Sequence, residues 1–392
     1  MAEQLAYAII TPYSLHKSRT GGIVARLVAR TGLELVGVRM FAPSQELIRA
    51  YADILVSPLT TDPQDRRIQE LIRDYILQNF APEPKSGRRR RVMMLLFKGE
   101  DAVQKVRQAI GNFSPRHRSA ESIRDTYGDL LVDDAGQVKY FEPAVLAAPT
   151  AEDAEKKLKL WTRFSDTDGG ILDNVIAYGP DEKPERTLVL IKPDNFRFPS
   201  GKPGNMIDFF SRTGLFIVGI KVHRMSVAEA TEFYGPVREV LRRRLREVVG
   251  IRAKTAIERE FGFTVPEAEE KLLGEMCCPL FAEDMFESIV QFMSGRTPTD
   301  CPLDQRNLPG SQKSIALVYE GVGAVGKIRT VLGPTDPLKA PPGSIRREFG
   351  SDIMLNAAHA SDSVESAQRE MGIIQVNDNT FKRTVEEFYG GL

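Results

Sequence analysis

Between residues 186 and 235 apolar runs alternate with segments of helical period. LVLIK (188–192) is a short β-rich run. GNMIDFFSRTG (204–214) has the spacing of a helix ended by Gly214. LFIVGIKVHRM (215–225) reads as a second strand, and SVAEATEFYG (226–235) as a helix opened by a serine cap. Further on, SIALVYEG (314–321) predicts a third strand and AVGKIRTVLG (324–333) another helix. Strands alternating with helices in this way suggest a split β-α-β sheet with helices on one face. The interval from Gly333 to Asn356 carries Pro334, Pro337, Pro341 and Pro342 and predicts a long loop, of the kind that is often functional.

The same pattern occurs earlier in the chain. RTGLELVGVRM from Arg30 matches RTGLFIVGIKV from Arg212, an offset of 182 residues. AIITPYS around Thr11 lies opposite VLIKPDN around Lys192, an offset of 181. AVQKVRQAIG ending at Gly111 matches AVGKIRTVLG ending at Gly333, and SIRDTYG ending at Gly128 matches SIRREFG ending at Gly350, both at an offset of 222. Four blocks in the same order identify a duplicated domain. The growth of the offset places about 40 additional residues in the second copy, at about 235–281. There REVLRRRLREVV and PEAEEKLLGEM are charged, strongly helix-forming stretches, so the expectation is a helical insertion. The expected division is residues 1–165, a linker at 166–185 rich in turn residues, and residues 186–392.

The 392 residues carry 53 basic and 53 acidic side chains, so no global charge draws the chain to nucleic acid or an anionic membrane. The basic runs GRRRR (87–91) and LRRRLR (241–246) have few interleaved aromatics and read as solvated faces. Cys277, Cys278 and Cys301 are too few for a disulfide framework and lack zinc-ligand spacing, which suggests a reducing compartment. The N-terminal segment has no basic leader or cleavage pattern, and no apolar run reaches membrane-spanning length. The expectation is a soluble, cytoplasmic protein without a membrane partner. The sequence contains no P-loop and no kinase Asp-Phe-Gly set.

The candidate chemistry lies near the C-terminus. NAAHASDSVESAQRE (356–370) holds His359, one of four histidines, just ahead of a helix start. Together with IKPD (191–194) and GPTDPLKAPPGSIRREFG (333–350), in this order, it resembles nucleoside diphosphate kinase over essentially all of residues 186–371 outside the insertion. The first copy resembles the same family more weakly. The resemblance implies two tandem ferredoxin-like (βαββαβ) domains, each an α+β fold on an antiparallel sheet. It implies transfer of a γ-phosphoryl group between nucleotides through a phosphohistidine. His359 would be the nucleophile, supported by Glu370 and Ser361; Lys192, Tyr234, Arg329, Thr335, Arg346 and Asn356 would line the nucleotide site. Mg²⁺ would be bound through the phosphates, with no protein metal site. Nucleoside di- and triphosphates would be the partners. Phe281 and Phe286 are the candidates for stacking on the base. Ala360, Leu355 and Arg347 depart from the family pattern of glycine, arginine and glycine.

Taken singly, each residue has an ordinary reading: a capping histidine, surface arginines, a solvated lysine at a strand end. Their ordered co-occurrence favours the chemistry. Phosphoryl transfer asks mainly for positioning and for neutralising charge. Arginines offer paired donors to phosphate oxygens, Asn356 and Lys192 can reach ribose hydroxyls, and a covalent intermediate lets one site serve donor and acceptor in turn. Imidazole has a neutral ring nitrogen available near physiological pH. Its other nitrogen needs a partner, and Glu370, about two turns past Ser363, could supply it directly or through a hydroxyl.

Alignment of the copies sets Lys192 against Thr11, Thr335 against Phe113 and His359 against Leu146, while Arg107, Arg124 and Tyr51 remain opposite Arg329, Arg346 and Tyr234. Leucine cannot accept a phosphoryl group, so the first copy should be inert. It would serve as an internal partner, forming within one chain the dimer that the family builds from two, and such chains would form a homo-oligomer. The alternative is a non-enzymatic nucleotide sensor or scaffold, which would have no need of His359. The other histidines, His16, His117 and His223, have no comparable neighbours in sequence.

Overall fold

The computed structural model describes residues 3–56, 63–113, 121–135 and 137–391; His117 lies outside them. The first copy runs β1 (Glu3–Ile10), α1 (Pro12–His16), α2 (Thr20–Thr31), β2 (Glu34–Phe41), α3 (Gln45–Leu55), α4 (Pro63–Asn79), β3 (Val92–Glu100), α5 (Ala102–Ile110), α6 (Ile123–Tyr127), a hairpin of β4 (Asp129–Val132) and β5 (Val138–Glu142), then β6 (Val145–Leu146) and α7 (Ala151–Arg163). Local chemistry sets the boundaries. Gly32 ends α2 in the left-handed region at φ 64°. The Ser44 and Thr150 hydroxyls accept from the amides of Leu47 and Asp153 at the starts of α3 and α7.

The sheet order is β2-β3-β1-β6, with all pairs antiparallel, which is the ferredoxin-like arrangement. Helices α2 and α5 pack on one another, and α5 packs on β1. Every residue of β1 from Leu5 to Ile10 is buried. Successive strand residues point to opposite faces, so both faces of this sheet are covered. On one face Tyr7 reaches Tyr51 of α3, and Tyr51 and Phe41 both meet Trp161 of α7 edge-on.

The second copy contributes β7 (Pro184–Ile191), α8 (Lys202–Ser211) and β8 (Phe216–His223), then, after a long excursion, β9 (Ser314–Val322). Three further helices lie in the excursion: α9 (Val227–Phe233), α10 (Gly235–Phe261) and α11 (Glu267–Ser294). After β9 come α12 (Ala324–Leu332), α13 (Ile345–Phe349), β10 (Ala358–Ala360), α14 (Val364–Ile373) and α15 (Thr380–Tyr389). The sheet order β10-β7-β9-β8 repeats that of the first copy.

The match extends to single residues. His359 pairs with Leu190 as Leu146 pairs with Ile9. The Lys192 amide donates to Ala357 O at 3.0 Å and the Thr11 amide to Ala144 O at 3.1 Å. Both alanines have positive φ, 71° and 59°. The strained turn that delivers the last strand is therefore a property of the repeated fold rather than of the histidine.

The chain divides into two units, one comprising residues up to Val222 and from Ile315 on, the other His223–Ser314. In the second unit α10 and α11 form an antiparallel hairpin, with Arg238 against Glu283, Arg246 against Glu275 and Lys254 against Glu270. A Cβ on Gly250 would lie 2.7 Å from Glu270 O, so glycine lets the two backbones approach. The hairpin continues to Ser294, where Gly295 (φ 96°) ends it, well past the expected limit near residue 281. The offset between copies measured only a difference in length, because the first copy has its own helix α4 in the corresponding interval.

Both four-stranded sheets belong to the first unit, apart from the end residues His223 of β8 and Ser314 of β9. Helix α2 of the first copy packs on α8 of the second, and a methyl on Gly21 or Gly204 would overlap the other's backbone. The linker joins the two edge strands: Gly170 N donates to Met40 O in β2, and Leu172 N to Val218 O in β8. Helix α15 packs on β2 and α7 of the first copy, with Phe381 edge-on to Phe41 at 5.5 Å. The last helix of the second copy thus helps to close the core of the first.

Candidate active site

Strand β10 is three residues long, and its alternation buries Ala358 and Ala360 while leaving the His359 side chain 23% exposed. The Ser361 amide donates to Leu188 O at 3.1 Å and holds the strand end in register. Ser363 caps α14, its hydroxyl accepting from Ser366 N at 3.0 Å. Two turns later the helix carries Glu370 to the same end of the sheet. Its side chain is 6% exposed. Glu370 Oε2 lies 2.9 Å from His359 Nε2 and accepts from Ser361 Oγ at 2.6 Å. The carboxylate therefore holds the imidazole directly, and the serine fixes the carboxylate.

A carboxylate can only accept, so the ring nitrogen facing it carries the proton. Nδ1 is then the nitrogen with the lone pair. Any positive charge arising on this ring would be balanced by the buried carboxylate behind it.

A second cluster adjoins the first. Lys192, buried at the end of β7, donates from Nζ to Asn356 Oδ1 at 2.6 Å and to Met354 O at 3.2 Å. Asn356 Nδ2 donates to Thr335 O at 3.2 Å and to Ile353 O at 2.6 Å. Burial, and then the neighbouring Arg346 guanidinium, lower the Lys192 pKa to about 8. Burial raises the Asp194 carboxyl above its usual range, with Lys192 opposing it. Two cationic side chains thus stand near one another where burial limits their hydration.

Arg346 donates from Nη1 to Gly333 O at 3.0 Å and from Nη2 to Ala358 O at 3.2 Å. It ties the start of the proline-rich loop to the strand bearing His359. Arg124 makes the equivalent bonds to Gly111 O and Val145 O in the first copy. This arginine is therefore part of the scaffold in both copies, a role that residue type alone did not reveal. Arg329, exposed in the last turn of α12, helps with the Ser366 hydroxyl to lower the Asp362 carboxyl. Arg347, one of the departures, is within 3.5 Å of Pro337 O in the loop.

Three expected residues belong to the second unit. Tyr234 is buried at the junction of α9 and α10. Phe281 is half-buried on α11. Phe286 has no exposed surface, and the Arg238 guanidinium sits 4.0 Å from its ring centroid, so it is a core residue of the hairpin and not an open stacking surface.

In the first copy the corresponding space is filled. Glu142 is buried, accepting from Thr11 Oγ1 at 2.9 Å, from Tyr75 Oη at 2.5 Å and from the Ala144 amide at 2.9 Å. Where the second copy presents Lys192, the first presents a threonine bonded to a carboxylate. Burial raises the Glu142 pKa, opposed by these donors. The sequence signal was slight: one glutamate before Pro143. The retained Tyr51 is a core residue against Trp161, and the retained Arg107 donates to Pro149 O at 2.9 Å.

A profile of the family described as nucleoside diphosphate kinase matches residues 307–379. The nucleoside diphosphate kinase of Staphylothermus marinus is 31% identical over 194 residues, covering 50% of this chain and 94% of the relative. The chain belongs to the nucleoside diphosphate kinase family. It is thus an enzyme, a phosphotransferase that binds nucleotides. The nucleoside diphosphate kinase of Aquifex aeolicus is 31% identical over 193 residues, covering 48% of this chain and 93% of the relative. A crystal structure of the Aquifex aeolicus enzyme aligns at 30% identity with a TM-score of 0.30, covering 49% of this chain and 95% of that one. For an NDP kinase from Pyrobaculum aerophilum the identity is 26%, the TM-score 0.32 and the coverage 49% and 95%. Each of these relatives matches about half of this chain. No helix among the described residues is long and apolar enough to cross a membrane.

Proposed function

We propose that the second copy transfers the γ-phosphoryl group of a nucleoside triphosphate to a nucleoside diphosphate by a ping-pong mechanism through phospho-His359. The observation that carries this is the 2.9 Å contact of His359 Nε2 with the buried Glu370, itself held by Ser361. In the first half-reaction the Nδ1 lone pair attacks the γ-phosphorus, the bond to the β–γ bridging oxygen breaks, and the diphosphate leaves with that electron pair. In the second, a terminal oxygen of a nucleoside diphosphate attacks phosphorus and the P–N bond electrons return to Nδ1. Glu370 balances the positive charge on the imidazole in between.

Lys192, Asn356, Arg329, Thr335 and Arg346 bind or frame the nucleotide in this reading. Their phosphate-side groups are chiefly nitrogen donors, suited to phosphate oxygens. Mg²⁺ fits as an ion carried by those oxygens, where it would neutralise charge. Tyr234 belongs to the proposed site on family resemblance alone.

The first copy is proposed to be inert, since it has Leu146 in place of His359 and Glu142 in the phosphate region. Its part is architectural: the glycine crossing of α2 with α8 supports an internal pseudo-dimer, residues 1–165 pairing with 186–392 across the 166–185 linker. Association of such chains and a cytoplasmic setting complete the proposal.

The test is incubation with γ-labelled ATP. We expect an acid-labile, base-stable adduct that maps to His359 and discharges onto added diphosphate, and loss of exchange in His359→Ala. Substantial exchange in pure His359→Ala protein would overturn the assignment.

A further inference from the structure

The second unit carries an apolar line open to solvent. Leu272, Met276 and Leu280 follow one another at intervals of four on α11 and are 55%, 73% and 77% exposed. Residues so spaced lie along one side of a helix. Gly274, Cys278 and Ala282 have the same spacing, two residues on, and are buried, with Cys278 Sγ donating to Arg242 O of α10 at 3.1 Å. A shift of two residues is about 200° around a helix, so the exposed line lies on the side of α11 turned away from α10.

Helix α10 has the matching arrangement. Arg242, Arg246, Gly250 and Lys254 meet α11. Two residues on, Arg244, Val248, Arg252 and Ala256 are all exposed, with Glu260 at the far end of their line. The middle of this outer side is basic. The outer side of α11 is apolar, with exposed Glu269 beside it and exposed Asp284 at its end. The inner charges are paired, Arg246 with Glu275 and Lys254 with Glu270. Among the described residues, Arg244, Arg252, Glu269 and Asp284 form no ion pair within 4.0 Å.

The two outer lines are also in register. Gly250 stands against Gly274, where a Cβ on either would lie 3.4 Å from the other's Cα. Counted along both helices from that crossing, Arg244 is level with Leu280, Val248 with Met276, Arg252 with Leu272 and Ala256 with Ala268. A second hairpin laid beside the first in the same antiparallel sense sets its Val248 on Met276 and its Ala256 on Ala268. The aliphatic stems of its two arginines then cover Leu272 and Leu280, and their guanidiniums reach Glu269 and Asp284.

We propose that the outer side of α11 binds the outer side of α10 of a second copy of this chain. Neither side suits a copy of itself: two α10 sides would bring Arg244 and Arg252 of both chains together, and two α11 sides would do the same with Glu269 and Asp284. The contact is heterologous, each chain offering α10 to one neighbour and α11 to another, so it builds rings or rows. It rests on the association of chains proposed above and gives that association a surface, but it uses neither His359 nor a nucleotide. The facing lines run about 18 Å, so the contact stands at the small, weak end of protein interfaces.

The test is sedimentation velocity of the full-length protein from about 1 to 100 µM, the range of a weak contact. We expect the average mass to rise with concentration, and to rise less in about 0.5 M salt, which screens the charge pairs. Met276→Glu, Arg252→Glu and Glu269→Arg change exposed positions, so each should fold normally and weaken association at least about tenfold. Arg252→Glu and Glu269→Arg chains mixed in equal amounts should re-form the contact, since the reversed charges then face one another. His359→Ala chains should associate as the wild type does, so this test and that of phosphotransfer fail separately. A protein that keeps one mass over the whole range overturns the proposal. So does association that Met276→Glu and Arg252→Glu both leave unchanged. Association abolished by Met276→Glu but untouched by Arg252→Glu also overturns it, because α11 would then meet a surface other than α10.

Discussion

Replacing Glu370 by glutamine keeps the size of the side chain and removes its charge. In the wild type Oε2 stands 2.9 Å from His359 Nε2. As Nδ1 bonds to phosphorus the ring becomes cationic, and a full charge pair at that separation is worth about 5–6 kcal/mol at an effective dielectric of 20. Only part of this is lost, because the amide oxygen of glutamine can still accept from Nε2. The net should resemble exchanging a charged hydrogen bond for a neutral one, about 2–3 kcal/mol, or roughly 30- to 150-fold in rate. The loss should fall on phosphoryl transfer and not on nucleotide binding, since the carboxylate is bonded to Ser361 and His359. Single-turnover phosphorylation of the enzyme by ATP measures the step, with KM and thermal unfolding measured beside it. A Glu370→Gln enzyme phosphorylated within threefold of the wild-type rate would refute the claim that the buried carboxylate stabilises the imidazolium.

Three further outcomes are expected. Lys192 titrates at about 8 in the folded protein against 10.5 for an ordinary lysine, because burial and then Arg346 disfavour its charge. Nucleotide KM should therefore rise above about pH 8, while this group's contribution to unfolding free energy increases between about pH 8 and 10.5, where the unfolded chain binds more protons; a Lys192→Met enzyme that kept the same KM profile would exclude this lysine as the cause. Leu146→His should acquire no phosphate from labelled ATP, as judged by peptide mapping of a His359→Ala background, because Glu142 remains bonded to Thr11 and Tyr75 in the space a phosphate would need. Arg124→Ala and Arg346→Ala should each destabilise the fold by about 1–3 kcal/mol in denaturant unfolding, for two lost carbonyl bonds, but only Arg346→Ala should reduce exchange, by about 2–4 kcal/mol of transition-state stabilisation. Equal losses of kcat/KM in both variants would mean that the first copy takes part in catalysis.

The sequence by itself determined the duplication, the βαββαβ order and the cluster around His359. Repeated blocks fix the order of elements because strand and helix periods are local, and the serine cap and two-turn spacing from Ser363 already bring Glu370 near the histidine. It also disclosed that Leu146 stands where the second copy has His359. Other features depended on contacts between residues far apart in the chain. Nothing local shows that Glu142 fills the first copy's site, since its partners Thr11 and Tyr75 lie 131 and 67 residues away. The reach of the insertion to Ser294 was hidden because an offset counts only the difference between copies. Arg346 read as a phosphate ligand, and only the structure showed it bonded to Gly333 O and Ala358 O, as Arg124 is bonded in the other copy. Phe286 was an aromatic of suitable type whose burial under Arg238 depends on α10 packing on α11. Residue type says which bonds a side chain can make; the packing of remote segments decides which of them it does make.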